Sequence, residues 1–543
     1  ETKLVAAFDH RDIFLDPDPD PHVAHEERAR LFALPRSSWQ DYDKARISAG
    51  GGVFSRQSKS IPLSREMQAA LGLDKDHVTP PELMSAILKA PVDLLWFGGI
   101  GAYVRGSGET DEQVGDRAND TIRIAGGEVR AKVVGEGANL GVTQKGRIEA
   151  ARKGVRIDTD AIDNSAGVNT SDQEVNIKIA LSKPVREGAL DLPARNALLV
   201  EMTGEVAQAV LRNNYLQTLA LSLAGRRGAG GVDDARALMR ALEREGRLDR
   251  AVEVLPDDAA LAERTRAKQG LTHPELAVLL AYAKIALYDH LLASDVPDDP
   301  YFSRELTRYF PHQLVERFPD AVQSHRLRRE IVATQLANSI VNRGGPDVVV
   351  RMADETGADA SAVARAFAAT RDVFALTALH GEIDALDAKI AGELQLQLYE
   401  AAQRLMLSRM IWMLRNADFA QGVEATAKRF RAAVLEVAQN IETMLPPAAA
   451  AATKDAAARL EGRGVPASLA RRLAALDWIA MAPDIALVAE KSGASVADAA
   501  QAFFAADAEF GVSRMAQASA GLPLADRFDR LAAERALDRL AAA

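Results

Sequence analysis

The sequence predicts an α/β segment over residues 1–182, followed by a long all-α region. Two observations support this fold class. Before residue 182, short apolar runs alternate with helical or loop segments, and glycine or asparagine follows each run. After residue 182, alanine, leucine and arginine recur at helical spacing almost without interruption. Strands that alternate with helices favour a parallel sheet with covered faces.

Strand predictions rest on short apolar runs at 3–8, 92–97, 131–134, and the neighbouring pair 155–157 and 160–162. These runs end, in order, at Asp9, at Gly98-Gly99, at the turn Glu136–Asn139 and at Asn164. Helical patterns lie between them at 80–89 and 144–153. The gap from Asp9 to Val92 is too long for one crossover, so residues from about 16 to 79 are interpreted as an insertion. That insertion contains a helical stretch at 24–34 and the run Gly50-Gly51-Gly52.

The all-α region contains three informative patterns. An apolar stripe predicted to lie on one helix face consists of Ile383, Leu386, Ile390 and Leu394. Segments 346–367 and 483–503 resemble each other, and each predicts a helix, a glycine stop, a polar N-cap and a second helix. Pro446-Pro447, followed by five alanines, is the best linker candidate, which divides the region into a helical domain (183–445) and a C-terminal helical subdomain (446–543).

Composition excludes several classes of function. Lys plus Arg number 66 and Asp plus Glu 76, so the net charge is −10, which disfavours nucleic-acid and anionic-membrane partners. The absence of cysteine excludes disulfides, thiolate metal sites and cysteine nucleophiles, and it fits a reducing cytoplasm. No apolar run approaches the roughly 18 residues that a membrane span needs.

Asp9 is the first candidate for a binding residue. In dinucleotide-binding sheets an acidic side chain at a strand end accepts the ribose hydroxyls, and a glycine fingerprint precedes it by about 20 residues. Here the chain starts eight positions before Asp9, so no such fingerprint is seen. The alternative is an ordinary turn residue.

Asn139 and Asn164 are stronger candidates because both follow predicted strands at the carboxyl edge, where open α/β sheets bind ligands. An asparagine offers the donor and the acceptor that a carboxamide or a ribose needs. Small neighbours such as Gly98, Gly99 and Gly137 let a planar ring approach the backbone. The alternative is a pair of ordinary strand-to-helix turns with asparagine in a left-handed conformation.

Ser171 is predicted to be a helix N-cap, with Glu174 completing a capping box. Its hydroxyl and the helix N-terminus could equally bind a substrate carboxylate. Gly50-Gly51-Gly52 lacks the context of a phosphate loop and is interpreted as a flexible tip. His22 and His25 have no evident third ligand, so a solvated helix face is preferred and no metal is expected. Core positions are predicted for Met406, Met410 and Met413.

A family resemblance extends from Asp93 to Leu181. The segments that carry it are DLLWFGGIGAYV, GDRANDTIRIAGGEVRAKVVGEGANLGVTQKGRIE and IDTDAIDNSAGVNTSDQEVNIKI, which resemble the large bacterial NAD-specific glutamate dehydrogenases. Further segments similar to that family are AAFDHRDIFLDPDPD, PRSSWQDYDK, GGGVFSR, RNNYLQTLALSLA, GLTHPELAVLLAYAKIALYD and HRLRREIVATQLANSIVNRGG. The likeness covers most of residues 1–345 and thins to general helical character afterwards.

The resemblance implies a Rossmann-like dinucleotide-binding domain over 1–182 without its first βα unit, and an activity: NAD-dependent oxidative deamination of L-glutamate to 2-oxoglutarate and ammonia. It implies that Asn139 and Asn164 hold the cofactor, that Ser171 contacts the distal carboxylate of the substrate, and that Asp9 favours NAD over NADP by repelling a 2′-phosphate. Ser165 and Ala166 stand where shorter relatives have Ala and Gly.

The resemblance also implies that the catalytic Lys, the proton-shuttling Asp and the phosphate loop lie upstream of this sequence. The chain alone is therefore expected to bind NAD weakly and to show no turnover. A homo-oligomer is expected. Two alternatives stay open: a non-enzymatic helical scaffold or regulatory module, and a dehydrogenase of another amino acid.

Overall fold

The computed structural model describes residues 2–519 together with 522, 529, 532–533, 535–537 and 539. The chain divides into two compact units. Unit 1 consists of Glu1–Ser171 and Thr272–Ala277, and unit 2 of Asp172–Leu271 and Val278–Ala543. Helices dominate the described residues, which confirms the large helical region. None of the helices in the described part of the chain is both long and apolar enough to cross a membrane.

Unit 1 opens with an antiparallel sheet. Its strands, in spatial order, are β1 (Ala6–Phe8), β2 (Asp12–Leu15) and β3 (Gly52–Ser55). The predicted strand before Asp9 is confirmed, but its expected place in a parallel sheet is wrong, because a tight turn at Asp9 reverses the chain and pairs β1 with β2. A second antiparallel pair joins β4 (Ile61–Pro62) to β5 (His77–Val78).

Two parallel pairs follow. β6 (Leu94–Phe97) pairs with β9 (Val133–Glu136), which confirms that the second and third apolar runs are strands. The other pair joins β7 (Val104–Arg105) to β8 (Ile124–Ala125). Side chains from these strands share one buried core, which includes Phe97, Val104, Ile124, Val134 and Ile157.

The fourth apolar run is not a strand. Arg156 makes a single parallel bridge to Val133, and Asp160–Asp163 forms a short helix. Thr159 occupies the position before that helix, and the Asp160 carboxylate accepts a hydrogen bond from the backbone nitrogen of Ala161 at 2.9 Å. A polar residue followed by acidic residues in the first turn favours a helix start, which outweighs the short apolar pattern.

Six α-helices lie wholly within the described residues of unit 1, and side chains cap the first five of them. They are α1 (Pro21–Ala33), α2 (Arg65–Leu71), α3 (Pro80–Leu88), α4 (Asp111–Val114), α5 (Gln144–Arg152) and α6 (Asp160–Asp163). The predicted helices at 24–34, 80–89 and 144–153 are confirmed. Thr79 and Thr143 act as N-caps of α3 and α5, each accepting from a backbone nitrogen of the first turn.

The remaining α-helices are α7 (Ser165–Arg186), α8 (Leu192–Arg226), α9 (Val232–Arg244), α10 (Asp258–Arg266), α11 (His273–Leu292), α12 (Ser303–Tyr309), α13 (His312–Arg317), α14 (Pro319–Gln323), α15 (Arg328–Gly344), α16 (Val348–Thr356), α17 (Ala360–Val373), α18 (Leu376–Asp384), α19 (Gly392–Asn416), α20 (Val423–Met444), α21 (Pro447–Glu461), α22 (Ala467–Ala474), α23 (Leu476–Ile479), α24 (Ala482–Ser492), α25 (Val496–Phe510) and α26 (Val512–Ser519). Short 3-10 helices occur at Trp39–Asp41, Lys44–Arg46, Arg117–Asn119, Gly126–Glu128, Gly228–Gly231, Val296–Asp298 and Pro300–Phe302.

The internal similarity predicted in unit 2 is confirmed. α16 ends at Gly357 in a left-handed conformation, and Asp359 caps α17. α24 likewise ends at left-handed Gly493, and Ser495 caps α25. Both copies therefore use glycine to stop the first helix and a polar oxygen to start the second.

Two predictions for unit 2 are wrong. The stripe from Ile383 to Leu394 is not on one helix, because α18 ends at Asp384 and turns with Ala388 at φ +56° precede α19. The segment predicted as a linker is helical, since Pro447 takes the first position of α21, where proline is favourable. The predicted core methionines Met406, Met410 and Met413 are confirmed as buried. The domain boundaries at 182 and 446 stay predictions.

Candidate functional site

The carboxyl ends of β6 and β9 lie side by side, because the strands are parallel and Phe97 pairs with Glu136. The backbone nitrogen of Ala138 donates to the Phe97 carbonyl at 3.0 Å, which extends the contact past the strand ends. Gly98 and Gly137 therefore leave the pair at the same edge. In open α/β sheets this is the edge at which ligands bind.

The indole of Trp96 covers the glycines of β9. A Cβ built on Gly135 would lie 2.7 Å from the indole Cε3, and a Cβ on Gly137 would overlap the ring. A side chain at either position would have to displace the indole, because the planar ring lies against the backbone. The sequence predicted that a ligand ring would approach here, and the ring in this place belongs to Trp96, which stays 59% exposed.

Gly98 and Gly99 differ from Gly137. A Cβ on Gly98 would make only ordinary contact with Trp96 at 3.7 Å, and a Cβ on Gly99 would meet nothing within 4 Å. Ile100 beyond them is 79% exposed. The turn after β6 is thus accessible, and the space beside Gly99 is open.

Asn139 and Asn164 contact each other. The Asn164 Nδ2 donates to the Asn139 Oδ1 at 2.6 Å. The other half of each amide, Nδ2 of Asn139 and Oδ1 of Asn164, has no hydrogen-bond partner among the described residues. The pair consequently leaves one donor and one acceptor unused, which are the two kinds of group that a carboxamide needs.

A buried ion pair supports the turn that carries Asn139. The guanidinium of Arg147 donates to both carboxylate oxygens of Glu136, with Nε to Oε2 at 2.7 Å and Nη2 to Oε1 at 2.9 Å. The Val142 backbone nitrogen adds a third hydrogen bond to Oε1 at 3.1 Å. Burial raises the pKa of Glu136, and Arg147 opposes that rise. The bidentate geometry fixes the end of β9 against α5.

Two aspartates connect this turn to α6. The Asp160 carboxylate lies 3.1 Å from Nη2 of Arg147 and accepts from the backbone nitrogen of Leu140 at 2.9 Å. Leu140 is left-handed at φ +65°, a conformation that costs a branched residue free energy and that these hydrogen bonds hold in place. The Asp163 Oδ2 accepts from the backbone nitrogen of Glu136 at 2.9 Å.

Asp163 is the residue directly before Asn164, and its carboxyl group is perturbed. Burial raises its pKa to about 6, and the nearby carboxylates of Asp158 and Glu136 add to the rise while Arg147 opposes it. Its hydrogen bond to β9 fixes the backbone from which the Asn164 side chain projects. The position of Asn164 therefore depends on Asp163.

A segment distant in sequence completes this region of unit 1. The Nδ1 of His273 lies 3.0 Å from Oδ1 of Asp158, and the Nε2 of Gln144 donates to the Pro274 carbonyl at 3.1 Å. Thr272 and Glu275 form a local cap, in which the Thr272 backbone nitrogen donates to the buried carboxylate at 2.7 Å. Sequence reasoning missed His273, because the only signal was its place in the family-like string GLTHPELA.

Asp9 lies in the turn between β1 and β2. Its Oδ1 accepts from the backbone nitrogens of Arg11 at 2.7 Å and Asp12 at 2.8 Å. Asp9 therefore acts as an ordinary turn residue, which is the alternative that the sequence predicts. A role in binding ribose stays a prediction.

Ser171 is not an N-cap, so the predicted capping box with Glu174 is wrong. Helix α7 begins at Ser165, which places the exposed Ser171 in its second turn. The N-terminus of α7 lies directly after Asn164 instead. Contact between the Ser171 hydroxyl and a substrate stays a prediction.

The weaker candidates have structural roles. Gly50 and Gly51 form a tight turn before β3, with Gly50 at φ +79° and a Cβ on Gly51 only 2.6 Å from the Leu15 carbonyl. The flexibility of this turn stays a prediction. His22 and His25 are exposed on α1, which confirms a solvated face. Within the described residues, no group of three or more His, Asp or Glu side chains is arranged to hold a metal ion.

Comparison with known proteins gives consistent matches. Residues 1–224 match the family described as bacterial NAD-glutamate dehydrogenase, catalytic domain, and residues 268–543 match glutamate dehydrogenase, C-terminal. The NAD-specific glutamate dehydrogenase of Pseudomonas aeruginosa is 45% identical over 545 residues, which cover 99% of this chain and 33% of that protein. The protein of the same name from Halomonas elongata is 46% identical over 87% of this chain and 29% of its own length. The protein of that name from Mycobacterium tuberculosis is 41% identical over 98% of this chain and 33% of its own length. The chain spans about a third of the length of these curated relatives.

Proposed function

Because the chain belongs to the bacterial NAD-specific glutamate dehydrogenases, we propose that it takes part in the NAD-dependent oxidative deamination of L-glutamate to 2-oxoglutarate and ammonia. The observation that carries this proposal is the hydrogen-bonded pair Asn139–Asn164 at the carboxyl edge of β6 and β9. Its unused donor and acceptor match the carboxamide of a nicotinamide.

The proposal includes a Rossmann-like arrangement of unit 1. Support comes from the parallel pairing of β6 with β9 and from the parallel bridges of Val104 to Val142 and of Val133 to Arg156. The domain division at 182 and 446, with an insertion at about 16–79, belongs to the same proposal. The proposal also includes a homo-oligomeric state and a cytoplasmic location.

The side chains present fit a dinucleotide at this edge. Asn139 and Asn164 would hold the carboxamide. The open space beside Gly99, in the turn after β6, would admit another part of the cofactor. The Asp9 carboxylate has one oxygen engaged in its turn, so the other would accept a ribose hydroxyl. Bound NAD supplies the acceptor for the hydride that leaves the α-carbon of glutamate.

The remaining residues act by position. The Asn139–Asn164 pair orients the carboxamide, and Asp163 keeps Asn164 in place through its bond to β9. Trp96 covers Gly135 and Gly137 and so excludes water from the backbone of β9. The Ser171 hydroxyl, exposed on α7, would bind the distal carboxylate of glutamate.

NAD binding by the 543-residue chain tests the proposal. Saturation-transfer NMR detects weak ligands, and we expect signals from both nicotinamide and adenine protons of NAD. Asn139→Ala and Asn164→Ala should weaken the nicotinamide signals more than the adenine signals, whereas Asn440→Ala, which changes an exposed amide on α20, should alter neither. A chain that gives no NAD signal, or variants that leave the nicotinamide signals unchanged, would favour the helical scaffold.

Substrate choice needs a separate measurement. In catalytically active protein, Ser171→Ala should raise the Michaelis constant for glutamate with little change in kcat, because the lost contact is made equally in the ground and transition states. An unchanged Michaelis constant would remove Ser171 from the site. Faster NAD reduction with another amino acid in a substrate panel would favour the other amino acid dehydrogenase.

A further inference from the structure

His273 and Asp158 form a hydrogen-bonded dyad in unit 1 to which the proposed function assigns no role. The Nδ1 of His273 lies 3.0 Å from Oδ1 of Asp158, and within the described residues the imidazole has no other hydrogen bond. A carboxylate accepts hydrogen bonds and donates none, so Nδ1 carries the proton of this contact. The neutral ring therefore keeps its lone pair on Nε2, where it can accept a further proton.

The dyad lies at the carboxyl edge of β9. Arg156 makes a parallel bridge to Val133 at the start of that strand, so the segment after Arg156 runs in the same direction as the strand. Asp158 is two residues further along and comes level with the last residues of β9. After two more residues, the Asp160 carboxylate accepts from a backbone nitrogen in the turn that carries Asn139. The dyad and the proposed cofactor site therefore share one edge of the parallel pair.

Two further contacts hold the histidine segment in place. The Nε2 of Gln144 donates to the carbonyl of the residue after His273 at 3.1 Å. The Thr272 backbone nitrogen donates to the Glu275 carboxylate at 2.7 Å. The His273 side chain is 38% exposed, whereas that of Asp158 is 17% exposed. The imidazole thus reaches solvent while its carboxylate partner is mostly buried, so the ring can exchange protons with water.

We propose that His273 carries the proton released by glutamate oxidation away from this edge, with Asp158 as its positioning residue. The inference rests on the proposed function, since it adds a proton carrier to the same reaction. Once hydride has passed from the α-carbon of glutamate to bound NAD, the oxygen of a water bonds to the iminium carbon and the C–N bond breaks. 2-Oxoglutarate and ammonium are formed, and the balance of the reaction leaves a proton that must reach solvent.

The dyad has the groups that this transfer requires. The Nε2 lone pair takes the proton and forms an N–H bond, which converts the imidazole to an imidazolium. The Asp158 carboxylate stabilises that positive charge through the Nδ1–H contact, because a charge-assisted hydrogen bond is stronger than a neutral one. The exposed ring then gives the proton to water or buffer and regains its lone pair. His273 needs no contact with glutamate for this role, because water can carry the proton to Nε2.

Chemical labelling of the 543-residue chain tests whether Nε2 is free. Diethyl pyrocarbonate acylates an accessible, unprotonated imidazole nitrogen, and mass spectrometry reports the rate at each histidine. We expect His273 to react at a rate similar to that of the exposed His25. It should react roughly tenfold or more faster than His325, since a buried ring reacts only when the structure opens locally. His325 is the negative control, because it is 3% exposed and both of its ring nitrogens have hydrogen-bond partners. A His273 as slow as His325 would overturn the proposal.

Chemical rescue separates proton transfer from a structural role. In catalytically active protein, His273→Ala should lower kcat roughly ten- to a hundredfold in dilute buffer, with little change in the Michaelis constant for glutamate. Added imidazole should restore kcat in a saturable manner and leave the parent unchanged, because dissolved imidazole can take the proton in place of the missing ring. Asp158→Asn keeps an acceptor for Nδ1 but removes the charge, so its kcat should fall several-fold and also respond to imidazole. His25→Ala, on the exposed face of α1, is the control and should leave kcat unchanged with or without imidazole.

The possible failures of this experiment are distinguishable. A lower kcat in His273→Ala that imidazole does not restore would show a structural role, and an unchanged kcat would show no role. Either result overturns the proposal while the proposed function remains. A parent protein that forms no NADH from glutamate would instead refute the proposed function, and this inference with it.

Discussion

Replacing Arg147 with methionine should destabilise unit 1 by about 3–4 kcal/mol at pH 7. Glu136 has no exposed surface and the Arg147 side chain is 7% exposed, so the variant leaves a buried carboxylate that keeps only the Val142 backbone nitrogen. Breaking a buried pair from one side costs about 3–5 kcal/mol. The carboxylate can escape that cost by taking a proton, which costs about 1.4 kcal/mol per pH unit above its ordinary pKa near 4.3.

Protonation therefore limits the loss to about 4 kcal/mol at pH 7 and reduces it to about 1 kcal/mol at pH 5. Adding Glu136→Gln to Arg147→Met should recover most of the loss, because no charge is then left buried. Arg152→Met, at the exposed end of the same helix α5, is the matched control and should change stability by less than about 0.5 kcal/mol.

Hydrogen exchange measured by mass spectrometry on peptides covering 133–152 gives the free energy of opening for this region alone. That readout is preferable to a single melting curve, since a chain of two units need not unfold in one step. A loss below about 1 kcal/mol at pH 7, or a loss that does not shrink between pH 7 and pH 5, would refute the account of the ion pair.

Three further predictions concern the same edge of unit 1. Asp163→Asn should stabilise unit 1 by about 1–2 kcal/mol at pH 7.5 and by nothing near pH 4. The reason is that the folded-state pKa of about 6 lies above the ordinary value, so the stability that Asp163 contributes at low pH is lost as pH rises through 6. Urea unfolding at the two pH values measures the gain in stability, and an equal gain at both would contradict the prediction. Gly137→Ala should displace the Trp96 indole and increase acrylamide quenching of tryptophan fluorescence. Gly108→Ala is the control and should not change the quenching, because a Cβ at Gly108 meets nothing within 4 Å. Equal quenching in both variants would show that the indole is not held against Gly137. His273→Gln should speed amide exchange in 272–277 at least tenfold by removing the contact to Asp158, and unchanged exchange would mean that the Gln144 hydrogen bond suffices.

Local signals account for what could be predicted from sequence. Thr79 and Thr143 start their helices through hydrogen bonds to the next turn, and left-handed Gly357 and Gly493 stop theirs, so these elements follow from a few neighbouring residues. The edge that carries Asn139 was predictable because parallel strands end on the same side, whereas Asn164 follows the helix α6 and not the predicted strand. The direct hydrogen bond between them was not predictable, since it depends on the packing of α6.

The errors have physical causes. The run at 160–162 is too short for periodicity to separate a strand from a single helical turn, and acidic residues at 160 and 163 decide for the helix. Ser171 had a correct capping pattern, but α7 had already begun at Ser165, so tertiary context overrides the local signal. No sequence pattern joins Asp158 to His273, because such a contact is set only by the folded arrangement.

The assignment of Thr272–Ala277 to unit 1 has a consequence for how the protein is made. The partners that Asp158 and Gln144 require do not exist until residue 277 has left the ribosome. At synthesis rates of about 5–20 residues per second, roughly 5–20 s separate the completion of Ser171 from that of Ala277. During that interval the nascent unit 1 lacks its last segment. Asp158 then has no contact with His273, and a chaperone could bind the turn that carries it.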